Sequence, residues 1–338
     1  MKAASALLGG TQPATDLVEQ AMRTALDRAG LDRADRVLLF LTRHFIHGAA
    51  AAVRAAARLG GTLEVAGCTA YGVLSEAGWL LDQPGVAVLV IGQAGAPGAG
   101  SDLRLSFSGH GTLPWTWQSG APHVGLLDSD AAAWSHGRVA VDACAEIELP
   151  GMRARFARSS GLRLLARELA VEASAGYELR RVAGLSATES LRRCLPAGMR
   201  DAPPLHRLVA LRDPLLPALA ILASHADGSL TLSEPLAAGE QIAWAVRQPL
   251  SAERDMRETF TAAVDAGKAP DFALMFSCLG RGPLFYGDED RDLAIFRDRL
   301  PGVPLAGAYG TGQIAPAGGN NRLFQNSVIT VLCEATDV

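Results

Sequence analysis

The chain is organised around the stretch Leu305-Ala-Gly-Ala-Tyr-Gly-Thr-Gly-Gln-Ile-Ala-Pro316, read together with Phe276-Ser-Cys-Leu-Gly-Arg-Gly282 about thirty residues before it. Each stretch is a glycine-rich turn that follows an apolar run and carries polar side chains. Glycine lets a backbone come close to a bound molecule, and turns after strands are common places for binding residues. Neither stretch has the pattern of a phosphate loop or a metal site. The pattern therefore predicts ligand recognition, without a requirement for turnover.

Working outward, the apolar runs on either side of these turns predict a mixed α/β fold. Residues 36–41 and 271–276 are apolar on both alternating faces, which is typical of a central strand covered on both sides. Apolar stripes at helical spacing predict helices over 11–29, 49–59, 251–266 and 288–300. We therefore expect apolar central strands covered by helices.

The two ends of the chain repeat one plan of strand, helix, glycine turn and final strand. The turn Ala66-Gly-Cys-Thr-Ala-Tyr-Gly72 corresponds to Ala306-Gly-Ala-Tyr-Gly-Thr-Gly312, and about thirty residues separate strand from turn in both halves. Either the repeat is a duplication, or it is a coincidence in an alanine-rich and glycine-rich chain. A duplication predicts two pseudo-repeated lobes, with two similar pockets or with one pocket between them.

The middle of the chain contains the predicted domain boundary. Residues 151–200 hold ten arginines and four glutamates, which we interpret as a solvated helix face rather than a nucleic-acid surface. Ser186-Ala-Thr-Glu189 is a capping box that opens a helix. Prolines 203, 204, 214 and 217 mark a linker, and Asp227-Gly228 predicts a hairpin. We expect domains over 1–212 and 213–338.

Composition narrows the class of protein. The net charge is −4, with 29 arginines and two lysines among 31 basic residues, so neither nucleic acid nor an anionic membrane surface is an expected partner. The five cysteines are odd in number and include no C-x-x-C, which disfavours a disulfide framework and a zinc knuckle. The apolar residues 3–10 are too few for a secretory core or a membrane span. We predict a cytoplasmic protein that does not enter a membrane.

With these motifs, the chain resembles the FIST family (F-box and intracellular signal transduction), with an N-terminal and a C-terminal FIST domain in tandem. The C-terminal resemblance rests on Phe276-Ser-Cys-x-Gly-Arg281, Val303-Pro-Leu-x-Gly307, Tyr309-Gly310 and Gly312-Gln-Ile-x-Pro316. The N-terminal resemblance rests on Gly67-Cys-Thr69 with Gly72. Family members often carry Gly-Glu-Ile where this chain has Gly312-Gln-Ile314 and Gly72-Val-Leu74. If the family's glutamates recognise an amino group, this chain has a different preference.

The resemblance implies a sensory, signal-transducing protein of bacterial type. Its implied ligand is a small molecule such as an amino acid or another small carboxylate, and its implied partner is a signalling protein such as a histidine kinase. Some bacterial members of the family are linked to haem and nitric oxide sensing, so haem is an alternative ligand. His44 and His47 are candidate haem ligands, although their spacing matches no metal motif.

Several side chains at the turns are candidates for ligand contacts. Arg281, between two glycines, could fork onto a ligand carboxylate or pair with Asp288, Glu289 or Asp290 and hold its own loop. Cys278 is either an inert buried thiol or the nucleophile of a thiol-dependent enzyme. Gln313 offers a donor and an acceptor but cannot act as a general base. The predicted ligand-binding set, with no catalytic residue or metal ligand assigned, is Cys68, Thr69, Tyr71, Ser277, Cys278, Arg281, Tyr309 and Gln313.

Overall fold

A computed structural model describes residues 1–92 and 103–336 of the chain. These residues divide into two compact units: Met1–Ser160 with Met256–Val338, called here the larger unit, and Gly161–Asp255, called the smaller unit. In the described part of the chain, no helix combines the length and the apolar character needed to span a membrane.

The first segment of the larger unit alternates strands and helices and then continues mainly as strands. Its first elements are β1 (Lys2–Gly9), α1 (Thr15–Ala29), β2 (Arg36–Thr42), a 3-10 helix (Arg43–Gly48), α2 (Ala49–Gly60), β3 (Val65–Ala70), β4 (Gly72–Ser75), β5 (Gly78–Leu81) and β6 (Gly85–Gly92). There follow β7 (Arg104–Ser108), a 3-10 helix (Trp115–Trp117), β8 (His123–Leu127), β9 (Ala133–Ser135), β10 (Arg138–Val139), β11 (Cys144–Glu148) and β12 (Met152–Ser159).

The rest of the chain first forms the smaller unit and then returns to the larger one. The smaller unit contains β13 (Leu162–Ala175), β14 (Glu178–Val182), β15 (Leu185–Ser186), α3 (Ala187–Cys194), 3-10 helices Ala197–Met199 and Leu205–Arg207, β16 (Leu208–Leu211), β17 (Leu219–Ser224), β18 (Leu230–Leu232) and β19 (Gln241–Arg247). The final elements are α4 (Pro249–Asp265), β20 (Phe272–Cys278), α5 (Pro283–Tyr286), α6 (Arg291–Arg299), β21 (Leu305–Gly310), β22 (Gly312–Ala317), β23 (Asn320–Phe324) and β24 (Val328–Ala335).

Two six-stranded sheets of the larger unit are built on the same plan. In the first sheet, with order β1-β6-β2-β3-β9-β10, β2 pairs in parallel with β3 and antiparallel with β6. In the second sheet, with order β12-β24-β20-β21-β4-β5, β20 pairs in parallel with β21 and antiparallel with β24. The repeat predicted from the two ends of the chain is therefore present in the fold.

The repeat extends to the pairing of individual residues. Gly67 lies opposite Leu39, and Gly307 lies opposite Met275. A Cβ atom on Gly67 would stand 1.8 Å from the Leu39 carbonyl oxygen, and one on Gly307 would stand 1.9 Å from that of Met275. Only glycine therefore fits at either position.

The two sheets share an apolar core and are covered by helices on their other faces. The rings of Phe40, Phe107 and Phe276 meet edge to face, with centroids 5.6 to 5.9 Å apart, inside this shared core. Helices α1 and α2 pack on the far side of the first sheet, whereas α4 and α6 pack on the far side of the second. The predicted arrangement of two-faced apolar strands under helices is confirmed.

Two hairpins pair with strands from the opposite half of the repeat. The β4–β5 hairpin follows β3 in sequence but pairs with β21 of the second sheet. The β22–β23 hairpin pairs with β8 and so completes a third sheet, with order β11-β7-β8-β22-β23. These exchanges bring the glycine turns of both halves to one place.

The smaller unit is a closed antiparallel barrel. Its strands follow the order β13-β19-β16-β17-β18-β14, and β14 pairs back onto β13. Trp244, Leu191 and neighbouring aliphatic side chains fill its core. The helix start predicted by the capping box is confirmed at Ser186, whose side chain accepts from the Glu189 N–H at 3.4 Å, whereas the Glu189 carboxylate accepts from Arg193 at 3.0 Å. The predicted hairpin at residues 227–228 also connects two paired strands, β17 and β18.

The arginine-rich segment and the linker differ from expectation. Residues 151–200 are mainly the strands β12, β13 and β14, and seven of the ten arginines lie on these strands, so the interpretation as a helix face is wrong. The proline-marked segment 203–217 is not a linker, because it lies within the barrel. The boundary expected between residues 212 and 213 falls at neither edge of the two compact units. The division of the chain into two FIST domains at that boundary stays a prediction.

Candidate functional site

The turns of the two halves lie beside each other. Tyr71 separates β3 from β4, and Thr311 separates β21 from β22. Because β4 pairs with β21, Gly72 lies directly opposite Tyr309. The expectation that the repeated turns converge is therefore met, and the place where they meet is called here the turn junction.

Asp128 adds a buried carboxylate to the turn junction. It follows β8, whose last residue, Leu127, accepts the Thr311 N–H at 3.1 Å. The side chain is 1% exposed, and among the described residues no partner makes a hydrogen bond of good geometry to either oxygen. Burial raises the pKa of Asp128 to about 7, although Arg43, the Tyr71 N–H and the Thr311 hydroxyl lie near enough to oppose that shift. A buried carboxylate without hydrogen bonds is costly to keep ionised.

Arg43 and Tyr71 stand between this carboxylate and solvent. Arg43 begins the 3-10 helix that follows β2, and its guanidinium carbon lies 3.3 Å from the centroid of the Tyr71 ring. Its Nη2 atom is 3.5 Å from Asp128 Oδ2, and the side chain is 40% exposed, against 1% for Asp128. The stacked pair is thus the accessible edge of a site whose carboxylate is inside.

Gln313 is the second buried polar group without a partner at the turn junction. It is fully buried on β22 between Leu126 and Phe324, and neither its Oε1 nor its Nε2 has a hydrogen-bond partner within the described chain. The equivalent position in the first half is Val73, which packs in the shared core. Each unsatisfied buried polar atom costs roughly 1–3 kcal/mol. An amide in place of valine therefore needs a compensating partner.

Asp128 and Gln313 are near enough to contact one small molecule. Gln313 pairs with Leu126, and strand alternation puts Asp128 on the same face as Leu126. Diagonal neighbours of this kind are roughly 7–8 Å apart. A group of a few atoms between them would reach both side chains.

Cys68 and Thr69, at the end of β3, support the structure around the turn junction. Cys68 is buried in the shared core, where burial, and then the charge of Asp128, raise the pKa of its thiol. Thr69 Oγ1 accepts from the Ala132 N–H at 2.9 Å, and its own N–H donates to the Ala132 carbonyl at 2.8 Å. Thr69 therefore holds the segment that follows Asp128 against the first turn.

Cys278 lies beside the second turn. It is buried, and its Sγ is 4.0 Å from the Thr311 carbonyl oxygen. Of the two candidate haem ligands, His44 has its Nδ1 3.2 Å from Thr42 Oγ1, and both His44 and His47 are exposed on the same 3-10 helix. Within residues 1–92 and 103–336, no group of three or more His, Cys, Asp or Glu side chains is arranged to hold a metal ion.

Arg281 belongs to a different, fully buried network. Its Nε and Nη2 donate to the two carboxylate oxygens of Asp292 at 3.1 and 3.0 Å. Its Nη1 and Nη2 also donate to the Ser159 carbonyl and hydroxyl at 3.0 and 2.7 Å. The predicted alternatives Asp288, Glu289 and Asp290 are the wrong carboxylates, because the first turn of α6 presents Asp292 instead.

Tyr309 and Ser277 lie on the same helix-covered side of the second sheet. The Tyr309 hydroxyl donates to Asp290, whose pKa is raised to about 6 mainly by burial. Ser277 is buried, with its Oγ 3.5 Å from the Cys278 carbonyl oxygen. Tyr71, Cys278 and Gln313 thus lie at or beside the turns, with Cys68 in the adjoining shared core. Thr69 alternates with Cys68 and so faces the opposite side of β3. Ser277, Arg281 and Tyr309 lie on the helix-covered side of the second sheet.

Sequence reasoning missed Asp128 and Arg43. Both follow apolar strands directly, at 123–127 and 36–42, which is the same signal that selected the glycine turns. The signal was present, but only the fold connects these strand ends with the turns.

Clefts elsewhere in the larger unit have charged walls whose members pair with one another. One of about 350 Å³ contains Arg155 and Glu334, 3.5 Å apart. Another of about 320 Å³ contains Arg104 and Glu148, 3.0 Å apart. Arg155 and Arg104 also donate hydrogen bonds to those glutamates. The turn junction is the stronger candidate because the side-chain polar atoms of Asp128 and Gln313 have no hydrogen-bond partner among the described residues.

The fold and this site define a mixed α/β protein with an internally repeated core and a buried polar site where the repeats meet. Residues 175–316 match the family model of the FIST C domain. The chain therefore carries a FIST C domain, which confirms the resemblance to the FIST family, whose role is associated with sensing in signal transduction. The N-terminal FIST domain stays a prediction.

Curated relatives match a limited part of the chain. The uncharacterized protein Rv0628c of Mycobacterium tuberculosis is 34% identical over 97 residues, which are 28% of this chain and 25% of that protein. The uncharacterized protein Mb0898c of Mycobacterium bovis is 36% identical over 103 residues, which are 30% of this chain and 26% of that protein. The aligned part thus spans about a quarter of the length of these relatives.

Proposed function

We propose that this chain is a small-molecule-binding sensory protein of intracellular signal transduction, with its ligand bound at the turn junction. The observation that carries the proposal is the pair Asp128, directly after β8, and Gln313, on the adjoining β22. Both side chains are buried and lack hydrogen-bond partners in the described chain. A polar ligand would supply those hydrogen bonds. The FIST C domain supports the sensory role.

An amino acid or another small carboxylate is the proposed ligand class. Asp128 would accept hydrogen bonds from its nitrogen, and Gln313 would contribute both a donor and an acceptor. Arg43, which is 40% exposed, can leave Asp128 and turn toward a ligand carboxylate, whereas Arg281 is already bound to Asp292. The signal would pass to a cytoplasmic partner such as a histidine kinase.

A thermal-shift screen against amino acids, small carboxylates and haem tests the proposal. A ligand that binds only the folded state at 100 times its Kd adds about 2.7 kcal/mol to the free energy of unfolding. We expect a raised Tm in the wild-type protein and its loss in Asp128→Asn and Gln313→Leu. The exposed variant Asp27→Asn is the matched control and should keep the shift.

Four outcomes would separate the competing interpretations. A shift that survives both site variants would move binding away from the turn junction. A shift with haem alone would favour nitric oxide sensing, and turnover lost in Cys278→Ala would favour a thiol-dependent enzyme. No shift with any compound would contradict ligand sensing and leave a scaffold.

A further inference from the structure

We infer that the ligand bears a guanidinium or amidinium group, which displaces the Arg43 side chain from its place beside Tyr71 and Asp128. The inference rests on the proposed function and specifies the chemistry of the same site. In this interpretation Arg43 is an internal surrogate for the ligand in the unliganded protein.

The position of Arg43 demonstrates that a planar cation fits this place. Its guanidinium lies 3.3 Å from the centroid of the Tyr71 ring, and its Nη2 lies 3.5 Å from Asp128 Oδ2. A guanidinium stacks on an aromatic face through its own flat face while its N–H groups remain free for a carboxylate. An ammonium group is compact and strongly hydrated, so it combines these two contacts less well.

The contact that Arg43 makes is incomplete. A bidentate guanidinium–carboxylate pair has two parallel N–H···O bonds of about 2.7–2.9 Å. Arg43 instead approaches one oxygen at 3.5 Å, and no described residue completes a hydrogen bond to either oxygen of Asp128. A free ligand, not tethered to the backbone of the 3-10 helix, can take the bidentate position. Displacing the Arg43 side chain costs little interaction free energy, because an ion pair whose cation is 40% exposed is weak.

Gln313 extends the same recognition. A guanidinium has five N–H donors, more than the two oxygens of one carboxylate accept in a fork. Gln313 Oε1 is an unpaired buried acceptor on the neighbouring strand, and its Nε2 is a donor for the remainder of the ligand. Acceptors from Asp128 and Gln313 on one face therefore suit a cation with N–H groups on several sides.

Isothermal titration with methylguanidine and methylammonium tests this inference. We expect the wild-type protein to bind methylguanidine at least ten times more tightly than methylammonium. Arg43→Ala, which removes the internal competitor, should bind methylguanidine at least ten times more tightly than the wild type does. Asp128→Asn should lose binding of methylguanidine, whereas Arg23→Ala, at a position 58% exposed on α1, should match the wild type.

The outcomes distinguish this inference from the proposed function. If a metabolite binds in an Asp128-dependent manner but the protein binds methylguanidine no more tightly than methylammonium, the inference is overturned and the proposed function stands. If no metabolite raises the Tm and methylguanidine binds to no folded variant, both the inference and the proposed function are overturned. Arg43→Gln replaces Arg43→Ala if circular dichroism shows the alanine variant to be unfolded. If both variants unfold, the wild-type preference between the two probes decides.

Discussion

The buried surroundings of the Asp128 side chain favour its neutral, protonated form. The carboxyl group is 1% exposed, and burial raises its pKa from 3.8 to about 7. Between those values the folded state binds a proton that the unfolded state has lost. By linkage, the contribution of Asp128 to the free energy of unfolding is greatest near and below pH 4, falls as the pH rises toward 7, and levels above it. Asp290, with a pKa raised to about 6, acts in the same direction.

Asp128→Asn should therefore flatten this pH dependence. The amide cannot ionise, so the variant avoids the buried charge and should be more stable than the wild type at pH 8, by on the order of 1–3 kcal/mol. At pH 4, where Asp128 is protonated, the two proteins should be close. Urea denaturation at both pH values measures the difference, with Asp27→Asn as control. Equal slopes for the two proteins would disprove the buried ionisation.

Arg281 has a structural role in the second half, distinct from the exposed Arg43. Its guanidinium is bound on both sides by Asp292 and Ser159 in a fully buried network. Arg281→Met should cost roughly 3–5 kcal/mol of stability, because it leaves the charge of Asp292 buried without its cation. The double variant Arg281→Met with Asp292→Leu should recover much of that loss. Chemical denaturation of the single and double variants is the measurement, and a single-variant loss below about 1 kcal/mol would contradict this role.

The repeated strands β3 and β21 each depend on one glycine. Gly67 and Gly307 occupy equivalent positions, where an added Cβ would meet a backbone oxygen of the neighbouring strand at 1.8 and 1.9 Å. Backbone in a paired strand cannot yield as the end of a side chain can. Gly67→Ala and Gly307→Ala should each lose on the order of 3 kcal/mol or more.

The matched control for these glycines is Gly48→Ala. No atom lies within 4 Å of a Cβ built at Gly48, and its φ of −101° suits other residues. Thermal unfolding of the three variants tests the duplication. If one glycine of the pair tolerates alanine and the other does not, the two halves are not equivalent at this strand.

The elements that could be predicted from the sequence are those that depend on residues close together in the chain. The strands at 36–41 and 271–276 were recognisable because both faces are apolar, and the capping box at Ser186 because its bond spans three residues. The arginine-rich segment forms strands because its apolar and charged residues alternate, although its charge alone is also typical of a solvated helix face. Arg153 and Arg155 alternate with Ala154 and Phe156, a period of two that indicates a strand.

Long-range pairing limited the prediction of the site. The glycine turns were visible in sequence, but which face each side chain takes depends on strands far apart in the chain. Tyr309 and Gln313 are only four residues apart, yet the change of sheet at Thr311 leaves one under the helices and the other in the shared core. Asp128 enters the site through the pairing of β8 with β22, which no local pattern encodes.

The division of the chain into units also depends on such pairings. The strand β13 pairs with β19, about eighty residues later, and the closure of the barrel follows from this contact and from β13–β14. The segments on either side of residues 161–255 belong to the larger unit. Prolines alone could not reveal an insertion, because turns within a barrel use the same residues as linkers.

A fragment of residues 161–248 should fold alone. It contains every strand of the barrel and a complete apolar core around Trp244, the one tryptophan in the fragment. Because single domains of this size usually unfold cooperatively, we expect one urea transition with buried-indole fluorescence below it. Leu191→Asp, which puts a charge into that core, is the control that should abolish the transition. Emission typical of solvent-exposed indole without urea, or a gradual melt, would mean that the barrel depends on the rest of the chain.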